Sequence, residues 1–261
     1  MKKSLIDILF MSEKRKGVLL LLRDGAKEME TLLKSLDTTR QALLPQIRIL
    51  EEHHLVSRDR DTYELTTIGR LIVDDMFPLL GVVGVFDIDI DYWGTHDLDF
   101  IPPHLLKKID ELGECRIMSP STEKMYEAHH EFNQESKKQK SQFSITTFFY
   151  PNFPDIFSEL LSNDVNMYVI VSQSLFDKLR TDSYNNLKRL INDKLVHFYV
   201  YPGKMEFLSF VFNESTVMMS LLKINNEFDN RHVLCRNPGA VEWAKEMFEY
   251  YLNGSVPITE I

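Results

Sequence analysis

Cysteine is nearly absent from this chain: only Cys115 and Cys235 occur in 261 residues. So small a number suggests neither a disulfide framework nor a zinc site built from clustered ligand pairs. Long apolar runs are missing too, since no stretch reaches the roughly 18 apolar residues of a membrane span. The N-terminal segment Leu5-Ile6-Asp7-Ile8-Leu9-Phe10-Met11 has Asp7 inside its apolar run and no small-residue cleavage site behind it, which makes it a helix rather than a signal peptide. The expectation is a cytoplasmic protein with no membrane contact. The ten glycines form neither a phosphate-binding loop nor Gly-x-Gly-x-x-Gly, and no Gly-x-Ser-x-Gly elbow is present. Two groups of acids and histidines, His96, Asp97, Asp99 and His104, then His129, His130 and Glu131, lack the spaced pairs of a metal site. No catalytic residue, metal or cofactor is therefore assigned, and the chain is not expected to be an enzyme.

What is present is enough for a globular protein. Hydrophobic residues make up 44% and charged residues 26%, so the chain can bury a core and stay in water. Its length suits two domains. The net charge of −9 is unevenly spread: residues 1–70 hold 13 Lys and Arg against 11 Asp and Glu, whereas residues 71–261 hold 17 against 28. The acidity belongs to the C-terminal part, so the total does not exclude a phosphate-binding face near the N-terminus.

Within the first 80 residues the apolar spacing predicts a helix over Leu5–Met11, another over Glu13–Leu22 closed near Gly25, and a short one over Lys27–Ser35. Thr38-Thr39-Arg40-Gln41 fits a capping box and opens a helix over 38–53, with Leu43, Leu44, Ile47 and Leu50 on its apolar face. A short helix, a tight turn and a helix with a polar N-terminal half is the layout that enters a major groove. Residues 57–64 then read as two strands around a polar tip, a wing, and Thr66 as the cap of a helix over Ile68–Phe77. Arg40, Gln41 and Gln46 are the candidates for base contact. Arg48, Arg58, Arg60 and Lys34 are the candidates for phosphate, with Thr38 and Thr39 at the start of the helix.

The run Leu-Glu-Glu-x-x-Leu-Val followed by Tyr-x-Leu-Thr-x-x-Gly resembles the winged-helix regulators of archaea and bacteria, with His54 where these often carry glycine. The resemblance implies DNA binding. A winged helix that serves only as an oligomerisation module of a small-molecule-binding protein or enzyme is the alternative, and an interaction scaffold is a third.

Beyond residue 80, Val82–Asp91 alternates apolar and acidic residues and suggests a strand or extended linker. Tyr92-Trp93-Gly94-Thr95-His96-Asp97 and Ile101-Pro102 then lead into a helix over Leu105–Leu112. Together with the winged helix this segment is similar to archaeal regulators of methanogens with a FilR-type regulatory domain. From Phe143 strands and helices alternate: strand Phe143–Tyr150, helix Pro154–Leu161, strand Val165–Val171, helix Leu175–Asp193 and strand Val196–Tyr201. Strands Phe207–Phe212, Thr216–Leu222 and His232–Cys235 and a helix over Ala240–Leu252 follow, which makes an α/β sandwich. The order resembles half of a phospholipase-D-like domain. That enzyme's His-x-Lys-x4-Asp motif is missing, and the best-matching segment holds Glu206, Leu208 and Asn213 at the three positions. The chain is thus expected to pair a DNA-binding winged helix (1–80) with an α/β domain (81–261) that senses an effector or dimerises. Double-stranded DNA, a second copy and a small-molecule effector are the expected partners. Tyr92, Trp93 and His96, bulky amphipathic residues beside Gly94, are the effector-pocket candidates.

Overall fold

The computed structural model describes residues 4–120 and 127–261, the side chains of residues 127–129 excepted. The chain divides into two compact units, one through Leu80 and one from Gly81.

The first unit is built from α1 (Leu5–Phe10), α2 (Glu13–Leu22), α3 (Met29–Ser35) and α4 (Arg40–Glu52), with β1 (Lys27–Glu28), β2 (Val56–Asp59) and β3 (Thr62–Leu65) in an antiparallel sheet of order β1-β3-β2. α5 (Thr67–Asp87) follows. Val18, Leu22, Leu32, Leu43, Ile47 and Tyr63 are sealed in one core. The α4-to-wing corner follows from local chemistry. The Leu55 amide donates to Leu50 O and the His54 amide to Glu51 O, closing the helix with His54 at φ 57°. The Thr66 hydroxyl accepts from the Gly69 amide at 3.0 Å and so caps α5 as the sequence predicts. Gly69 is needed there because a Cβ at that position would lie 2.0 Å from the Leu55 carbonyl oxygen.

The second unit carries an eight-stranded sheet of order β11-β7-β6-β5-β8-β9-β10-β4. β5 (Ser141–Thr146), β6 (Asn166–Ser172) and β7 (Val196–Tyr201) run parallel. β8 (Phe207–Phe212), β9 (Val217–Leu221), β10 (His232–Cys235) and β4 (Cys115–Met118) extend it antiparallel on one side, and β11 (Val256–Ile258) adds on the other. Successive side chains leave a strand on opposite faces. Ile145, Ile170, Phe210 and Phe212 therefore meet Trp243, Met247 and Phe248 of α12 (Pro238–Asn253) on one face. On the other face Met167, Val169, Val171 and Phe198 meet α9 (Phe153–Leu161), α10 (Gln173–Asp182) and α11 (Tyr184–Ile191). The result is the expected α/β sandwich. α8 (Glu127–Ser136) also packs on the sheet, burying Phe132 against Val211, Met218 and Leu234.

Several local expectations are corrected. Val82–Asp91 is not extended: α5 runs on to Asp87 and α6 (Ile90–Trp93) follows. Val82, Val85 and Phe86 are spaced i, i+3 and i+4 as a helix requires, and as a helix they all reach the second core. The helix expected over Leu105–Leu112 is α7 (Pro103–Leu106) and a separate 3-10 turn, Ile109–Leu112, ended by Gly113 at φ 61°. The helix over 175–193 breaks at Ser183 into α10 and α11. β4 and β11 have no counterpart in the sequence reading. The capping box at Thr38 is absent: Thr39 is the cap residue, its side chain makes no cap bond, and Ala42 three positions on cannot return one. Cys115 and Cys235 do form a disulfide, facing each other across the β4–β10 ladder with sulfurs 2.07 Å apart. That proximity follows from the register of a strand the sequence pattern hid.

Candidate nucleic-acid interface

α4 buries Leu43, Ile47 and Leu50, and at 3.6 residues per turn this leaves Gln41, Pro45 and Arg48 along its opposite, exposed edge. The capping-box correction matters here, because the Gln41 side chain is not held by the helix terminus. Arg48, Lys34 and Arg60 are exposed and make no ion pair among the described residues. Arg60 sits at the two-residue tip between β2 and β3 with φ 55°, a left-handed conformation that turns the hairpin. Thr38 is half-buried and Thr39 exposed.

Two candidate arginines are not free. Arg40 Nη2 lies 2.5 Å from Asp61 Oδ1 on the wing, and Arg40 Nη1 lies 3.9 Å from Glu30. Arg58 Nη2 approaches the same Asp61 oxygen at 3.8 Å, its Nε donates to the Arg60 carbonyl, and its guanidinium lies 5.5 Å from the centre of the Tyr63 ring. Burial in the hairpin raises the Tyr63 hydroxyl pKa above its ordinary value, so the ring stays neutral as a platform for Arg58. Asp61 thus ties the start of α4 to the wing with one carboxylate, an arrangement no periodicity rule could have found.

Gln46 is a correction. Its Oε1 accepts from Arg15 Nη1 at 2.8 Å and from the Ser12 hydroxyl at 3.4 Å. Arg15 is buried in α2, and its remaining nitrogens donate to the carbonyls of Ile8 and Asp7. Gln46 satisfies a buried cation that joins α1, α2 and α4, so it faces inward rather than toward a groove.

The three pocket candidates lie in the second unit's core. Tyr92 and Trp93 are buried. The His96 ring stacks on Tyr92 at 3.9 Å between centroids, its Nδ1 lies 2.6 Å from the Tyr92 carbonyl oxygen, and its Nε2 lies 3.3 Å from Asp229. Burial alone would raise the Asp229 carboxyl, but hydrogen bonds and charge from Arg231, with a contribution from His96, hold it at about 2. Arg231 also covers the Tyr92 ring, 4.7 Å from its centre. The cluster fastens α6 to the segment before β10. Of the histidines and acids weighed as metal ligands, the His129 side chain lies outside the described residues; among the described ones no metal-ligating group of three forms.

Two sequence profiles match this chain: the N-terminal domain of methanogenesis regulatory protein FilR1 over residues 3–84 and the middle domain of the same protein over residues 125–254. The methanogenesis regulatory protein FilR1 of Methanothrix harundinacea is 23% identical over 260 residues, 98% of this chain. The chain spans 58% of that relative's length. Among solved structures, the archaeal chromatin protein TrmBL2, reported with a novel mode of DNA binding, aligns with 99% of this chain and all of its own, at 12% identity and TM-score 0.46. The phospholipase D family member Nuc of Salmonella typhimurium aligns with 56% of this chain and 99% of its own, at 12% identity and TM-score 0.41. At such scores neither likeness bears on chemistry.

Proposed function

The chain belongs to the family of FilR1 methanogenesis regulatory proteins, and from that premise we propose that it is a transcription regulator that binds duplex DNA through its first unit. The observation that carries the reading is the exposed edge of α4, Gln41, Pro45 and Arg48, flanked by a wing whose tip presents Arg60. Gln41 offers the paired donor and acceptor that fit adenine, and Arg48 and Arg60 offer charge to phosphates. Lys34, at the end of α3, adds a further contact to the backbone. Arg40 and Arg58 join when a phosphate takes the place of Asp61. Exposed ion pairs of this kind are worth about 0–1 kcal/mol, so the exchange is cheap in an electrostatic field as strong as that of DNA. One α4 reads few base pairs, and a homodimer on a twofold-related site doubles them. The second unit then supplies control: a signal that favours one dimer arrangement over the other shifts the occupancy of the operator.

The test is retention of genomic fragments by the purified protein, followed by affinity against salt concentration. Arg48→Ala with Arg60→Ala is expected to lower affinity and reduce the salt slope by about 2, roughly one unit for each lost phosphate contact. Asp61→Asn is expected to tighten binding about two- to fivefold by releasing two arginines and removing a charge that faces the phosphates. An unchanged slope in the double variant removes the wing and α4 edge from the reading.

A further inference from the structure

The second unit holds a cleft of about 690 Å³, lined by the loop after β5 and by α9, α10 and α11. The cleft is a groove between α9 and the α10–α11 pair on one face of the sheet. Thr147 and Phe148 after β5 and Ser174 and Leu175 after β6 close one end, and Leu161 and Ser162 at the end of α9 with Asp193 after α11 lie toward the other. The volume lies within the 300–1,000 Å³ typical of small-molecule sites.

The walls differ in chemistry. One is aromatic: Phe148, Phe149, Tyr150, Phe153 and Phe157. Phe149 lies 4.3 Å from Phe153 and 5.6 Å from Phe157 between ring centroids, and Phe148 keeps 40% of its surface exposed. The facing wall is aliphatic, from Leu175 and Leu179 of α10 and Leu187 and Leu190 of α11. The rim carries Lys178, Arg189, Asp182 and Asp193. Asp193 already accepts from the Leu195 amide at 3.0 Å. Neither Lys178 nor Arg189 makes an ion pair among the described residues, so neither is committed to Asp182 or Asp193.

We infer that this cleft binds a planar aromatic acid, its ring between the phenylalanines and the leucines and its carboxylate or sulfonate toward Lys178 and Arg189. This names the site and chemical class of the signal, and so rests on the reading of the chain as a signal-controlled regulator. Aromatic walls favour a flat ring over an equally apolar chain because offset stacking adds to burial. The rim supplies charge-assisted hydrogen bonds to an anion.

Calorimetric titration of the full chain with naphthalene-2-carboxylate, decanoate and 2-naphthalenemethanol tests it. Naphthalene-2-carboxylate is expected to bind at about 10–100 µM, a reasonable efficiency for so small a ligand. Decanoate is expected about two- to tenfold weaker for lack of stacking, and the alcohol weaker still for lack of charge. Lys178→Ala with Arg189→Ala removes the preference for the acid over the alcohol. Ser158→Trp, on an exposed position of the cleft wall, blocks the acid without disturbing the core. Decanoate as the tighter ligand, undiminished binding in Ser158→Trp, or no binding by a protein that unfolds cooperatively overturns the assignment. So does a Ser158→Trp variant that binds nothing and sediments as a smaller species, since the cleft is then a subunit contact. Retention of DNA is measured on the same preparation: its loss with ligand binding intact strikes the regulator reading alone, and the converse strikes the cleft alone.

Discussion

His232 shows how much a single buried residue can control. Its Nδ1 lies 2.8 Å from the Ser220 hydroxyl on the neighbouring strand, and burial pushes its pKa down to about 4, against a smaller opposing pull from Asp229. In the unfolded chain the same imidazole titrates near 6.5. Between these values the unfolded state binds the proton and the folded state does not, so stability is full above about pH 6.5 and is lost as pH falls toward 4. The loss from this group is about 2–3 kcal/mol over that window. Urea unfolding at pH 7, 5.5 and 4.5 should show it, and His232→Asn, which keeps an acceptor near the Nδ1 position, should flatten the slope. Equal slopes in the two proteins would assign the acid sensitivity elsewhere. Asp229, held at about 2, enters only below about pH 4, where protonation costs its bonds to Arg231. None of this is legible in the sequence, because His232 and Ser220 meet only through the pairing of β9 with β10.

At the scale of elements, the junction of α4, wing and α5 was the most legible part of the chain. Thr66 caps α5, and the motif's glycine has a steric reason in the Leu55 carbonyl. Gly69→Ala sets two effects against each other. Alanine favours the helix by about 1 kcal/mol, but its Cβ would collide with a backbone oxygen that cannot rotate away, and overpacking of this kind costs about 1–3 kcal/mol or more. The clash wins, and thermal unfolding of the variant is expected to show destabilisation of about 1–2 kcal/mol; a gain in midpoint would show that Leu55 yields. Elsewhere periodicity was ambiguous or silent. Val82–Asp91 satisfied both helix and strand spacing until core contacts chose the helix. Gln46 looked like part of a polar face because the sequence could not place the buried Arg15 behind it.

For the molecule as a whole, the Cys115–Cys235 bond is the largest departure from expectation. It closes a loop across 120 residues of separation and joins two strands beside each other in the sheet. Cross-links over loops this long stabilise by about 2–5 kcal/mol, chiefly by restricting the unfolded chain. Thiol titration in guanidinium should find no free thiol in the untreated protein, and Cys115→Ala with Cys235→Ala should lower the unfolding free energy by about that amount. Two titratable thiols and an unshifted midpoint would remove the bond from the account. The sequence by itself determined the winged helix, its charge contrast with the acidic remainder and the main alternation of strands and helices from β5 to α12, because spacing, caps and turn residues act over a few positions along the chain. The tertiary structure alone decided the disulfide, the inward turn of Gln46, the hold of Asp61 on two arginines, the burial of Tyr92, Trp93 and His96, and the cleft among α9, α10 and α11. Each of these depends on which distant segments pack side by side, and that is set by strand register and core contacts rather than by any local pattern.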